Sequence, residues 1–154
     1  MHNISIVCVG KLKERFYTDA ANEYIKRLAG YCKLEVIEIP ESKAKDPHIA
    51  LDKECAAIES QIPAGALTVA LCIEGYEMDS AGLSAFLTDN AVRGASRLCF
   101  IIGGSFGLHE SVKEKAATRL SMSKMTFPHN LARVMLLEQL YRAFQIAGGG
   151  KYHK

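Results

Sequence analysis

Two short stretches restrict what this chain can fold into. Residues 67–73 (LTVALCI) and 98–102 (LCFII) are apolar almost without interruption. A strand with one wet face alternates, whereas a strand apolar throughout is covered on both faces, as in a parallel sheet between layers of helices. The rest of the pattern agrees. Residues 3–9 form a β-branched run closed by Gly10, and residues 34–39 alternate Leu, Val and Ile with acids before Pro40. Both read as strands, the second half-exposed. Phe16, Ala20, Tyr24, Ile25 and Leu28 recur at helical spacing up to Gly30, and Leu51, Cys55, Ile58 and Ile62 do so up to Pro63. Ser80 is the expected cap of a helix carrying Leu83, Phe86 and Leu87. Residues 110–120 read as a short helix, 122–127 as a strand-like stretch before Pro128, and 131–147 as the last helix. Strand and helix alternate five times, which predicts an α/β fold with a mostly parallel sheet flanked by helices. The 154 residues suit one domain, 1–154, with no repeat or linker.

Composition narrows the setting. Nearly half the residues are hydrophobic (49%), which excludes a disordered chain. No apolar run approaches the ~18–20 residues of a membrane span, and nothing in residues 1–10 reads as a signal peptide. Five cysteines, no two closer than 17 positions, exclude a zinc knuckle, a CxxC redox pair and a complete disulfide framework. The expectation is a reduced, cytoplasmic protein. Net charge is only +2, but it is unevenly spread. From Ser111 to Lys154 eight basic residues face two acids, and residues 1–33 carry six basics against three acids. The middle, 34–110, carries twelve acids against five basics. A polyanion would meet the two ends of the chain, unless the charge is ordinary solvated surface.

The last helix carries too much apolar surface for one stripe. Leu131, Val134, Met135, Leu136, Leu137, Leu140, Tyr141, Phe144 and Ile146 cover well over half its circumference. Such a helix buries two sides, either wedged inside the domain or pressed against a second copy, and in a short chain a homodimer is expected.

The densest chemical signal is residues 101–107, IIGGSFG, glycines between a buried strand and a helix. A dinucleotide fingerprint fails, because Ile102 stands where GxGxxG needs glycine and no acid follows ~20 residues on. Gly103-x-Ser105-x-Gly107 matches a serine-hydrolase elbow, with Glu110, Glu114 or Glu138 as acid and His153 or His129 as base. A chain this short lacks room for that fold's additional strands. The remaining readings are a bare backbone wall for a ligand and a plain tight turn. His129 precedes the last helix, in company with Ser123, Thr126, Arg133 and Arg142. Arg133 at a helix start is a poor dipole partner, so an anion or an internal carboxylate such as Glu138 is expected to meet it. The tail, Gly148 to Lys154, reads as frayed, yet Tyr152 and His153 between Lys151 and Lys154 also offer stacking, proton transfer and phosphate contact. His2, His48 and His109 have no metal-ligand spacing, so no metal is expected.

Taken together, residues 69–75 (VALCIEG), 100–108 (FIIGGSFGL), 121–129 (SMSKMTFPH), 138–143 (EQLYRA), 9–13 (VGKLK) and Tyr152-His153 closely resemble the ribosomal large-subunit methyltransferases of the SPOUT superfamily. The resemblance spans nearly the whole chain. It implies a C-terminal deep trefoil knot, which general topology rules make improbable. It implies a homodimer with each active site at the subunit interface, and S-adenosylmethionine held in the knot. It further implies methylation of N3 of a pseudouridine in 23S rRNA within the ribosome. The cofactor walls would be Leu71 with Glu74 and Gly75, Gly103 and Gly104, and Met122, Ser123, Lys124, Met125, Thr126 and Phe127 leading to His129. Gly103 would permit close approach of the cofactor. His129, Tyr152, His153 and Arg142 would serve catalysis. Arg133, Arg142, Lys151 and Lys154 would meet rRNA or the developing negative charge. A net charge of +2 is weak for binding free RNA, which implies a preformed ribosomal surface as substrate. Two readings compete: a small serine hydrolase using Ser105, and a non-catalytic ribosome-binding factor.

Overall fold

A computed structural model describes residues 1–154. Five strands, β1 (His2–Val9), β2 (Cys32–Ile39), β3 (Leu67–Glu77), β4 (Arg97–Ile102) and β5 (Thr118–Ser121), form one parallel sheet in the order β2-β1-β4-β3-β5. The helices are α1 (Arg15–Leu28), α2 (Pro47–Gln61), α3 (Ser80–Val92), α4 (Glu110–Lys115) and α5 (His129–Ala147). The connections through α1 and α3 run one way across the sheet, and those through α2 and α4 run the other. Parallel crossovers share one hand, so the two pairs must lie on opposite faces. They do. Alternate residues of the strands feed two cores: Ile4, Ile6, Leu98 and Phe100 pack with α1, α3 and α5, while Val7, Val9, Cys99 and Ile101 pack with α2 and α4. The apolar runs at 67–71 and 98–102 are thereby explained, since both faces of the central strands are covered, whereas Cys72 and Ile73 leave the ladder and Ile73 is 48% exposed.

α5 lies on the sheet beside α1 and α3. Leu136, Leu137, Leu140, Ala143 and Phe144 are buried there, each large one contributing about 1.5–3 kcal/mol. Hydroxyls stitch α3 to it: Ser84 Oγ donates to the Ala143 carbonyl at 2.7 Å, and Ser80 Oγ to Gln139 Oε1 at 2.6 Å. The wedged arrangement thus accounts for much of its apolar girth. Leu131, Met135 and Ile146 remain only half-buried on its outer side.

Several boundaries differ from the sequence expectation. Asp79, not Ser80, caps α3, accepting from Gly82 N–H at 2.7 Å and leaving Ser80 free for α5. The helix expected over 110–120 stops at Lys115, because Ala116 turns extended and residues from Thr118 pair with β3. The strand expected over 122–127 is a loop: Ser123 Oγ takes the Met125 N–H at 3.0 Å, and no strand lies beside it. β3 is longer than expected, with a bulge. Leu71 and Tyr76 both pair with Leu120, so residues 72–75 loop out of the ladder.

Candidate active site

The carboxyl ends of β3, β4 and β5 surround a cavity of about 620 Å³, the place where open parallel sheets bind ligands. Its first wall is Leu71 and the bulged Cys72, Ile73 and Glu74. The second is the loop after β4, from Gly103 to Leu108, and the third is Met122, Ser123, Met125, Thr126, Phe127 and Pro128, ending at His129. Ten of the twenty lining residues are hydrophobic, and its size is that of a drug-sized ligand's pocket. Lys124, named with this segment from the sequence, is exposed and outside the lining. Sequence reasoning missed Lys113, whose ammonium pairs with Glu74 at the mouth and holds that carboxyl below its ordinary value. It also missed Glu41, the first residue after Pro40, which sits at the carboxyl end of β2.

Gly103 has a different reason for being glycine than the one expected. A Cβ there would collide with the carbonyl of Gly107, whose own N–H donates to Gly104 O at 3.0 Å. The glycine is required by the loop's closure on itself, before any ligand arrives. Ser105 Oγ donates to Glu41 Oε1 at 2.6 Å, with no histidine between them. Only glycines have positive φ, so Ser105 does not sit on a strained elbow.

His129 opens α5, half-buried against the cavity. One turn on, Arg133 is only 3% exposed. It donates to Glu38 Oε2 at 2.8 Å and to the Gly10 carbonyl at 2.7 Å, tying α5 to β1 and β2. Its expected contact with RNA is thus replaced by an internal one, and the expected carboxylate is Glu38 rather than Glu138. Glu138 serves the other end. Arg142 and Tyr152 both donate to Glu138 Oε1, at 2.9 and 3.1 Å, and Arg142 lies 3.2 Å from His153 Nδ1. The Arg142 guanidinium also covers the Tyr152 ring at 4.7 Å. The tail is therefore docked on α5 rather than frayed. Lys151 and Lys154 are exposed there. His129 and the tail cluster are not brought together: Arg142 stands 13 residues along α5, about 20 Å at 1.5 Å per residue.

No helix is long and apolar enough to cross a membrane, and no group of His, Cys, Asp or Glu is placed to hold a metal.

A parallel sheet with its ligand cavity at the strand ends, walled by a self-closing glycine loop and the segment before the last helix, belongs to the SPOUT methyltransferases. The chain is a member of that family, whose model, described as "Predicted SPOUT methyltransferase", matches residues 2–153. Among its relatives, the protein named "Ribosomal RNA large subunit methyltransferase H" of Clostridioides difficile (strain 630) is 48% identical over 158 residues, covering 99% of each chain. The protein of the same name from Bacillus pumilus (strain SAFR-032) is 46% identical over 158 residues, again covering 99% of both. Two solved structures share the fold. A probable methyltransferase from Bordetella pertussis Tohama I has TM-score 0.58 at 12% identity, covering 92% of this chain and 95% of that one. A probable methylase family protein from Haemophilus influenzae Rd KW20 has TM-score 0.57 at 12% identity, covering 98% of this chain and 70% of that one. SPOUT methyltransferases take their methyl group from S-adenosylmethionine. The cavity fits such a donor, with apolar side chains for a flat purine and charged groups at the mouth for an amino-acid end.

Proposed function

We propose that the chain is a cytoplasmic, S-adenosylmethionine-dependent methyltransferase of large-subunit ribosomal RNA, acting on N3 of a pseudouridine in 23S rRNA on the assembled ribosome. The reading includes a homodimer and a C-terminal third threaded as a deep trefoil knot. The cavity at the ends of β3, β4 and β5 carries it, together with full-length relatives named as ribosomal RNA methyltransferases.

The donor supplies an electrophilic methyl group. Leu71, Gly103, Gly104, Met122, Ser123, Met125, Thr126 and Phe127 would hold it, and the apolar walls would keep water from the reacting atoms. An imide N3–H must lose its proton as the nitrogen is methylated, and His129 at the cavity wall is the base. Tyr152, His153 and Arg142 orient the target base, and Lys151 and Lys154 meet rRNA phosphates. The roughly 20 Å along α5 that separates these groups from His129 within a protomer supports a site shared between two copies. The half-buried Leu131, Met135 and Ile146 on the outer side of α5 fit the same arrangement. Ser105 donates to the Glu41 carboxylate with no imidazole between them, which disfavours a Ser-His-acid hydrolase.

Calorimetry with S-adenosylmethionine, followed by transfer of its labelled methyl to ribosomes lacking the modification, tests the reading. Wild type binds and transfers, and Leu71→Trp, which fills the cavity, loses both while keeping its melting temperature within a few degrees. Binding without transfer would mark a ribosome-binding factor. No binding, with ribosomes present or absent, would overturn the reading.

A further inference from the structure

Pro40 ends β2 and delivers Glu41 to the carboxyl edge of the sheet, beside the loop that walls the cavity. Ser105 fastens it there: the hydroxyl donates to Oε1 at 2.6 Å, and the Ser105 N–H approaches the same oxygen at 3.4 Å. The other oxygen, Oε2, takes no hydrogen bond from the protein and faces Gly10. A Cβ on Gly10 would stand 3.8 Å from Oε2 and 3.6 Å from Nε2 of His129. Gly10 has φ +90°, where a side chain is strained, so the space between carboxylate and imidazole stays open. His129 also occupies the first turn of α5, where the helix dipole opposes an imidazolium. A fixed anion facing it offsets that penalty.

We propose that Glu41 is a positioning residue that acts through His129: anchored by Ser105, its carboxylate faces the imidazole across Gly10 and stabilises its protonated form during methyl transfer. The proposal rests on the function given above, and charge conservation gives it its chemistry. As the N3–CH3 bond forms, the S–CH3 bond breaks and its electron pair stays on sulfur, leaving a neutral thioether. The N3–H proton passes to the imidazole of His129. The positive charge that was on the sulfonium thus reappears on the imidazole, where Glu41 meets it. The Ser105 hydrogen bond, with the charges of His129 and Lys13, holds the Glu41 carboxyl below its ordinary value, so it carries the negative charge that meets an imidazolium. The other charged groups nearby are Lys13 after β1 and Arg133 one turn along α5, whose charge Glu38 meets.

The test is an NMR titration of the His129 ring in the full-length protein, alongside the pH profile of methyl transfer to unmodified ribosomes. Removing the Glu41 charge in Glu41→Gln is expected to move the His129 ring titration to lower pH. It should also move the acid limb of the rate profile by a similar amount and lower the plateau by about 3- to 10-fold. Ser105→Ala, which frees the carboxylate, should give a smaller shift of the same sign. Melting temperature should stay within error of wild type in both variants, and S-adenosylmethionine affinity in Glu41→Gln, whose side chain lies outside the cavity lining. An unchanged His129 titration in Glu41→Gln would overturn the proposal, as would a shifted titration with an unshifted rate profile. Wild-type protein that transfers no methyl group would instead sink the function on which the proposal rests, while the titration still reports the pairing.

Discussion

Arg133 and Tyr152 show how single residues acquire meanings that their types do not carry. A cation near the start of a helix opposes the dipole, and burial adds a desolvation cost. Glu38 and the Gly10 carbonyl offset both, so the side chain becomes a tie between α5 and the first two strands. Tyr152 sits in a chain end that composition marks as loose. Partial burial, the hydroxyl of Tyr24 and the carboxylate of Glu138 push its phenol up to about 12. The fold thus favours the neutral phenol over the phenolate. In an unfolded chain the phenol titrates near 10, so this contribution is fully present below that pH and is lost as pH rises through about 12. Following phenolate absorbance, one of the six tyrosines should titrate above the rest. Glu138→Gln should bring it down toward them. A wild-type titration with no late component would contradict the docked tail.

At the scale of elements, the cavity exists because β3 does not stay in register. Residues 72–75 leave the ladder between Leu71 and Tyr76, and Gly75 lets the bulge press on the β5 backbone, where a Cβ would stand 2.7 Å from the Arg119 carbonyl carbon. The bulge turns Cys72 into a half-buried wall residue, its thiol also pushed up by burial, whereas Cys8, Cys32 and Cys99 are fully buried with thiols pushed up to about 11. Alkylation of the native protein should therefore modify Cys72 ahead of those three. Saturating S-adenosylmethionine should slow it at least severalfold, with mapping of the modified peptide as the check. Equal rates with and without the donor would place the donor elsewhere. The sequence carried no sign of the bulge beyond Gly75. The end of the apolar run marks where burial falls away after residue 72, but periodicity says nothing of pairing register, so it does not show that Leu71 and Tyr76 meet the same residue.

At the scale of the whole molecule, the proposed chemistry needs groups from both ends of α5, and a rigid helix holds them about 20 Å apart in one protomer. A mixing experiment reads this directly. His129→Ala and His153→Ala are each expected to be nearly inactive. Refolded together in equal amounts, they should recover about a quarter of wild-type methyl transfer, since half the dimers are mixed and each has one intact site. No recovery on mixing would mean that each protomer builds its site alone.

Much of this protein was legible in its residues. The apolar runs at 67–73 and 98–102 read as doubly covered strands, which holds for 98–102 and for the paired part of the first run up to Leu71, and strand–helix alternation then required a parallel sheet. The glycine loop, residues 122–127 and His129 were readable as one site because they follow consecutive strands, and parallel strands deliver their carboxyl ends to the same edge. What the residues could not say is who meets whom. That Arg133 answers Glu38, 95 positions away, and that Glu41 is caught by Ser105, 64 positions away, are decided only when the sheet order brings β2, β1 and β4 side by side. Burial is a property of local pattern, whereas partnership between charges depends on distances that only the folded chain sets.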